Sequence, residues 1–298
     1  MRGNRSRSLL VTAALITGLG LGSMYGLLAL GFSVTYSVSS TVNFSQGSSM
    51  MLGAVLCYTF GITLGLGVPA GVVLALAGCA VWGALVERFA VRPFVGGGSN
   101  AWLMSTVAVG IILENVVLFS YGKEPRSLPS PFVRETVNIA GLGVYPLQLA
   151  IPVVGLLVGL GLQLVSTRTR RGKALLAVVQ NPDAARLMGI DVQAAITTSF
   201  VISTVFAAVA GILIAPLFNV SAEMGTLFGI KAFAVAILGG ITSAGGVVVA
   251  GLVYGLVEAL ITAAFGSPYT QVLTFALVIV ALTLMPNGLF GRAQVKKV

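Results

Sequence analysis

The sequence predicts an all-α fold, a polytopic transmembrane helical bundle of about 8–10 membrane segments. Three observations carry this. The chain is 57% hydrophobic and only 8% charged; a soluble domain carries about a quarter charged residues, so water cannot solvate this one on all sides. Apolar runs of about 20 residues, the length that crosses a bilayer as a helix, recur from end to end. The runs are continuous rather than alternating polar with apolar, which argues against a membrane β-barrel. The reading is one transmembrane domain over residues 1–298.

The charges orient the segments. Thirteen of the 17 Lys and Arg fall in four places: Arg2, Arg5 and Arg7; Arg88 and Arg92; Arg168, Arg170, Arg171, Lys173 and Arg186; and Arg292, Lys296 and Lys297. The positive-inside rule places all four in the cytoplasm. A first helix over 9–30 then leaves the cytoplasm; it is too long for a signal-peptide core and lacks a convincing cleavage site. The stretch 31–66 contains YSVSSTVNFSQGSS, too polar for a plain lipid-facing helix. It reads as a broken or re-entrant element near the bilayer centre, where irregular backbone must be buried or line a cavity. Segment 68–86 enters, ending at Glu87-Arg88, and 101–120 leaves.

Residues 121–146 form an external loop, interrupted by Pro125, Pro129, Pro131 and Pro146. Segment 147–166 returns, 168–191 is cytoplasmic, and 193–217, 224–239, 246–265 and 270–285 alternate, leaving both termini cytoplasmic. The count is eight crossings, or ten if 31–66 crosses twice. A faint repeat runs through this order. Asn43-Phe44-Ser45 is echoed by Asn219-Val220-Ser221, and GALVE at 83–87 by YGLVE at 254–258. Each pair runs in opposed directions, the pattern of an inverted repeat.

Composition also excludes chemistry. There is no His, so the commonest general base and metal ligand are missing. Cys57 and Cys79 lie inside apolar runs and suggest neither a disulfide framework nor a metal site. No acid pair or Ser–base arrangement stands at a readable spacing, which makes an intramembrane enzyme a poor reading. The 38 glycines suit close helix packing in lipid.

Seven of the 25 charged residues crowd into 168–191. Within it, Asn181 is a favoured N-cap and Pro182 suits the first helical position. Asp183 meets the positive end of the helix dipole, and Gly189 can end the helix in a left-handed turn. The result is a helix of about two turns, too short to stand alone. Leu175, Leu176, Val178, Val179, Leu187 and Met188 give it an apolar face that needs a partner. It is either a linker lying on lipid headgroups or a knob that docks into a cytoplasmic partner.

Polar groups at membrane depth are the other candidates. Asn43, Ser45 and Gln46 form either a helix-breaking hydrogen-bond network or a substrate path, with Phe44 and Gly47 in the same stretch and Asn219 as the counterpart. Glu114 and Lys231 are intramembrane charges that could pair with each other, and Glu258 is a third. In the external loop, Lys123, Glu124, Arg126, Arg134 and Glu135 offer a landing surface or a solvated loop.

Several of these strings carry a resemblance. DAARLMGI at 183–190 looks like the coupling-helix signature of ABC importer permeases. The fuller QNPDAARLMGID at 180–191 resembles the branched-chain amino-acid permease family, the LivH type. So do GSMYGLLALGFSVTYSVSSTVNFSQGSSMMLGA at 22–54, ERFAVRP at 87–93, MGTLFGIKAFAVAILGGITSAGG at 224–246 and PNGLFG at 286–291. The likeness covers nearly the whole chain in order, with Ser45 where the family more often has Ala.

The resemblance implies a permease subunit of a binding-protein-dependent ABC importer in a cell (inner) membrane, carrying branched-chain or related amino acids. Gln180, Asn181, Pro182, Asp183, Ala184, Ala185, Arg186, Leu187, Met188 and Gly189 would meet the ATPase. A second permease, two cytoplasmic ATP-binding subunits and an extracytoplasmic solute-binding protein would complete the system. The chain has no G-x-x-x-x-G-K-[ST] loop, so ATP and Mg would bind the partner ATPase and no cofactor this chain. Alternatives are a permease of the same class for urea or short amides, and an ion-driven secondary transporter that uses Glu114 and Lys231.

Overall fold

The computed structural model describes residues 2–95, 100–139, 142–285 and 288–291. The side chains of Arg2, Arg5 and Arg7 and the basic tail from Arg292 lie outside the described residues. The described chain forms α1 (Arg2–Ser39), α2 (Gln46–Tyr58), α3 (Val68–Leu85), α4 (Ala101–Tyr121), α5 (Pro146–Arg168) and α6 (Arg170–Gln180). Then follow α7 (Pro182–Leu187), α8 (Val192–Ile214), α9 (Met224–Leu238), α10 (Ala244–Phe265) and α11 (Ser267–Leu284).

Among the described residues, seven helices are long and apolar enough to cross a membrane: α1, α3, α4, α5, α8, α10 and α11. Helix α9 has 15 residues, about 22 Å, and α2 is shorter still, so neither spans about 30 Å of hydrocarbon alone. The segment expected as a crossing at 224–239 is therefore a half-helix.

The region 31–66 also departs from expectation. Helix α1 does not stop at residue 30 but runs on to Ser39. Its hydroxyls, which read as breakers, bond back to the preceding turn: Thr35 Oγ1 donates to the Gly31 carbonyl at 3.2 Å and Ser39 Oγ to the Thr35 carbonyl at 2.8 Å. The break falls at Ser40, held at a φ of 55°. Half-helix α2 follows and widens into a π-turn at Thr59–Thr63.

Lipid gives little hydrophobic drive for helix association, so close packing of small residues holds the bundle. Helices α1 and α10 lie antiparallel, with Gly18 and Gly22 against Gly255 and with Gly26 against Gly251 and Val248. Helices α3 and α8 pack in the same way, with Gly83 against Phe200 and Thr204. Gly83 and Gly255 lie in the two similar strings, and each sets a close helix pair, α3 with α8 and α10 with α1. The central core gathers Met24, Tyr25, Leu28, Met50, Met51, Ala207 and Val235 from α1, α2, α8 and α9.

The antiparallel α1–α10 pair fixes which helix ends lie together. The end of α1 that meets α6 and α7 is its carboxyl end, where Val38 packs with Val178, Ala185 and Val192. The start of α10 lies beside Ser166 and Thr167 at the foot of α5. Leu289 bonds the Leu238 carbonyl near that foot. The amino end of α1 thus stands at the opposite end of the bundle from α6, α7 and residues 288–291.

The loop 121–146 is more built than a solvated linker. It carries an antiparallel hairpin, β1 (Val137–Ile139) and β2 (Leu142–Val144). Arg126 and Val220 exchange backbone hydrogen bonds of 3.0 and 2.8 Å, and the Arg126 guanidinium lies 4.3 Å from the Tyr121 ring centroid. Arg126 is therefore an anchor, whereas Lys123, Glu124, Arg134 and Glu135 are exposed.

Candidate functional site

The two half-helices meet at their amino ends. A side chain on Gly47 would run into the Gly225 carbonyl, and one on Gly225 into the Gly47 carbonyl, so only glycine permits this approach. Neither helix start has a side-chain cap. The first-turn N–H groups of Gly47, Ser48, Gly225 and Thr226 accordingly lack intrahelical acceptors. Beside this junction lies a cavity of about 270 Å³ lined by α2, α4, α9 and aromatic rings from Phe32, Phe44 and Phe233. It opens sideways past Ile111, Thr226 and Ile230, all exposed.

Of the polar residues expected near a path, Phe44 and Gly47 line this cavity. The others turn inward. Asn43, Ser45 and Gln46 are wholly buried. Asn43 Oδ1 accepts from the Ser45 amide at 3.1 Å and from Ser45 Oγ at 2.7 Å. The Ser45 hydroxyl is thus spent on Asn43. Gln46 Nε2 donates to the Ser203 carbonyl at 3.0 Å while its Oε1 accepts from Ser203 Oγ at 2.8 Å. Gln46 ties the start of α2 to α8. Asn219 lines a separate cavity of about 710 Å³ between α1, α9, α10 and α11.

The charges pair differently from the expectation. Lys231 bonds Glu258, Nζ to Oε1 at 2.5 Å, at the edge of the larger cavity, and does not pair with Glu114. Glu114 Oε1 instead accepts from Ser48 Oγ at 3.0 Å and Thr226 Oγ1 at 2.6 Å, joining α4 to both half-helices.

The segment 168–191 folds as two docked helices. Thr169 caps α6 and Asn181 caps α7, Asn181 Oδ1 accepting from the Asp183 and Ala184 amides, both at 3.0 Å. Gly189 takes a φ of 79°. Val178 and Ala185 bury against Val38 of α1 and Val192 of α8, so half of the apolar face finds its partner within the chain. The other half does not: Leu187 is 89% and Met188 82% exposed. Asp183 and Arg186, in the turn before them, form a 3.5 Å exposed pair, worth little in itself.

Residues 14–282 match the family model described as "Branched-chain amino acid transport system / permease component". The chain belongs to this permease family. It is 35% identical to the high-affinity branched-chain amino acid transport system permease protein BraD of Pseudomonas aeruginosa, over 95% of this chain and 97% of that one. It is 34% identical to the corresponding LivH of Escherichia coli K12, over 95% and 96%. Among solved structures, PsaBC from Streptococcus pneumoniae in complex with Fab shares the fold, with a TM-score of 0.51 at 16% identity over 96% and 97% of the chains. The chain is thus a multi-pass membrane protein and a transport subunit rather than an enzyme.

One polar hub of the permease was missed by the sequence reading. Glu87 is wholly buried in the π-helical turn Val86–Val91 that follows α3. It accepts from Arg92 Nη2 at 2.9 Å, Thr197 Oγ1 at 2.9 Å and Gln193 Nε2 at 2.5 Å. The only signal was Arg92 five residues on; Gln193 and Thr197 are over 100 residues away and leave no local trace.

Proposed function

We propose that this permease is the membrane-spanning subunit of an importer for branched-chain or related amino acids, driven by ATP hydrolysis on a partner. The observation that carries the reading is the knob at Leu187 and Met188. Two large apolar side chains stand in the open on a helix that is capped, terminated and docked against α1 and α8. A lipid-lying linker would spread its apolar residues along one face; here the two most exposed, Leu187 and Met188, stand together at one tip. We assign residues 180–189 to ATPase contact, with Leu187, Met188, Asp183 and Arg186 outward and Ala185 inward.

This reading sets the sides. The α6–α7 end is cytoplasmic and meets two ATP-binding subunits, which hold ATP and Mg. The amino end of α1 and the hairpin loop are then external. Lys123, Glu124, Arg134 and Glu135 are available there to a solute-binding protein. The small cavity opens sideways between α4 and α9, a mouth that a second permease, related or identical, would cover. Movement of α7 acts on α1 through Val38 and on α8 through Val192. Gln46 joins α8 to the start of α2, so displacement there reaches the junction of Gly47 with Gly225 and alternates access to the cavity. An ion-driven carrier built on a Glu114–Lys231 pair has lost its support, because Lys231 is bound to Glu258.

The test is mild solubilisation of the tagged permease from its native membrane. An ATPase should come with the wild type and be lost from Leu187→Asp/Met188→Asp, whose insertion and amount stay normal. Recovery of the chain alone, still moving leucine in vesicles without ATP, would overturn the proposal.

A further inference from the structure

Glu114 is the charge the fold leaves over. It lies two-thirds of the way along α4, among residues that cross the membrane. Among the described residues no Lys or Arg reaches it; the ion pairs are Arg92–Glu87, Arg186–Asp183 and Lys231–Glu258. A carboxylate at membrane depth is costly and is ordinarily paired or functional. Ser48 and Thr226 both bond Oε1, which leaves Oε2 for another donor. The carboxylate lines the 270 Å³ cavity, so that donor can be a ligand.

The rest of the cavity says what kind. Its other walls are apolar, with Phe233 against both Phe32 and Phe44, ring centroids 5.5 and 5.0 Å apart. Aromatic faces and a lone carboxylate suit an organic ammonium. They do not suit a bare metal cation, which wants about six or more oxygen ligands; the two hydroxyls here already donate their protons to Glu114. The first-turn N–H groups of Gly47, Ser48, Gly225 and Thr226, which have no intrahelical acceptor, lie at the same junction, complementary to a carboxylate.

We infer that Glu114 reads the ammonium group of the substrate, and that the cavity takes a zwitterion with an aliphatic side chain rather than a neutral amide such as urea. This rests on the transport reading above and names the residue that sets its substrate class.

The experiment is uptake of radiolabelled leucine at saturating concentration by cells whose own copy of the permease carries each variant, all partners intact. Glu114→Gln keeps an oxygen for Ser48 and Thr226 and removes only the charge. Its maximal uptake should fall on the order of 10- to 100-fold, the worth of one charge-assisted hydrogen bond, with the amount of assembled complex unchanged. Glu114→Asp should retain most of the lost rate. Gly161→Ala on α5, where an added methyl meets nothing within 4 Å, should stay within about threefold of wild type. Wild-type rates in Glu114→Gln, or equal failure of Asp and Gln, would overturn the inference while leaving the transport reading intact. A wild type that imports urea or acetamide but no branched-chain amino acid would remove that reading itself. Leucine uptake that follows an imposed sodium or proton gradient without ATP would reassign Glu114 to a coupling ion.

Discussion

The Lys231 Nζ lies 2.5 Å from Glu258 Oε1, with both side chains less than a tenth exposed. The pair joins half-helix α9 to α10, and the Tyr25 ring of α1 lies 5.8 Å from the same ammonium. Glu114 has no Lys or Arg partner among the described residues.

Removing half of this pair should hurt more than removing both. Lys231→Met leaves a buried carboxylate uncompensated, a loss of about 3–5 kcal/mol. Lys231→Met/Glu258→Leu replaces the pair with apolar volume and should recover most of that. Thermal unfolding of the purified protein in detergent reads the order; a double variant no more stable than the single would show that the pair carries no electrostatic penalty.

The short helix α7 offers two neighbouring positions with opposite expectations. Ala185→Arg forces a long charged chain into the contact of Ala185 with Val38, Val178 and Val192. Overpacking alone costs about 1–3 kcal/mol, so hydrogen exchange over residues 182–187 should rise. Leu187→Asp, at an exposed position, should leave that exchange unchanged and impair only ATPase association. Equal exchange in both variants would mean that α7 is not docked on the bundle.

What the sequence made legible was local. Asn181, Pro182, Asp183 and Gly189 are start and stop signals that act on their own backbone, and the helix falls where they put it. Segments expected at 68–86, 101–120 and 147–166 appear as Val68–Leu85, Ala101–Tyr121 and Pro146–Arg168, because a long apolar run needs no distant partner to be helical. What stayed hidden depends on distant partners. Lys231 has Glu258 27 residues away and Glu114 much farther off, and hydropathy cannot choose between them. Gln46 looked like a path residue until Ser203, 157 residues on, took both ends of its amide. Serine and threonine in 31–39 suggested a break that their bonds to the preceding turn made unnecessary.

The half-helix junction predicts a steep response to the smallest substitution. Gly47→Ala places a methyl group against the backbone of Gly225, which no rotamer change relieves. Stability should drop by about 1–3 kcal/mol, and leucine uptake should fall with it. Gly161→Ala on α5 is the control: a methyl there meets nothing within 4 Å, and the gain in helix propensity, up to about 1 kcal/mol, should appear alone. Equal melting temperatures for the two variants would mean that α2 and α9 do not touch in the membrane.

At the end of the bundle that carries α6 and α7, the Glu87 hub predicts an asymmetry between partners. Arg92→Ala strands a carboxylate that is wholly buried, held then by Gln193 and Thr197 only; the cost should be about 3 kcal/mol. Glu87→Gln leaves an Arg92 whose side chain is 35% exposed, so its charge can turn to water, and the loss should be nearer 1 kcal/mol. Adding Glu87→Gln to Arg92→Ala removes the stranded charge and should restore part of the stability. That recovery separates a charge effect from lost packing, because a packing role for Arg92 would make the double variant at least as weak as the single. The same hub joins the foot of α3 to the first turns of α8, next to Val192 on which α7 rests. Variants that loosen it should therefore also raise hydrogen exchange at 192–197 before they unfold the remainder of the bundle.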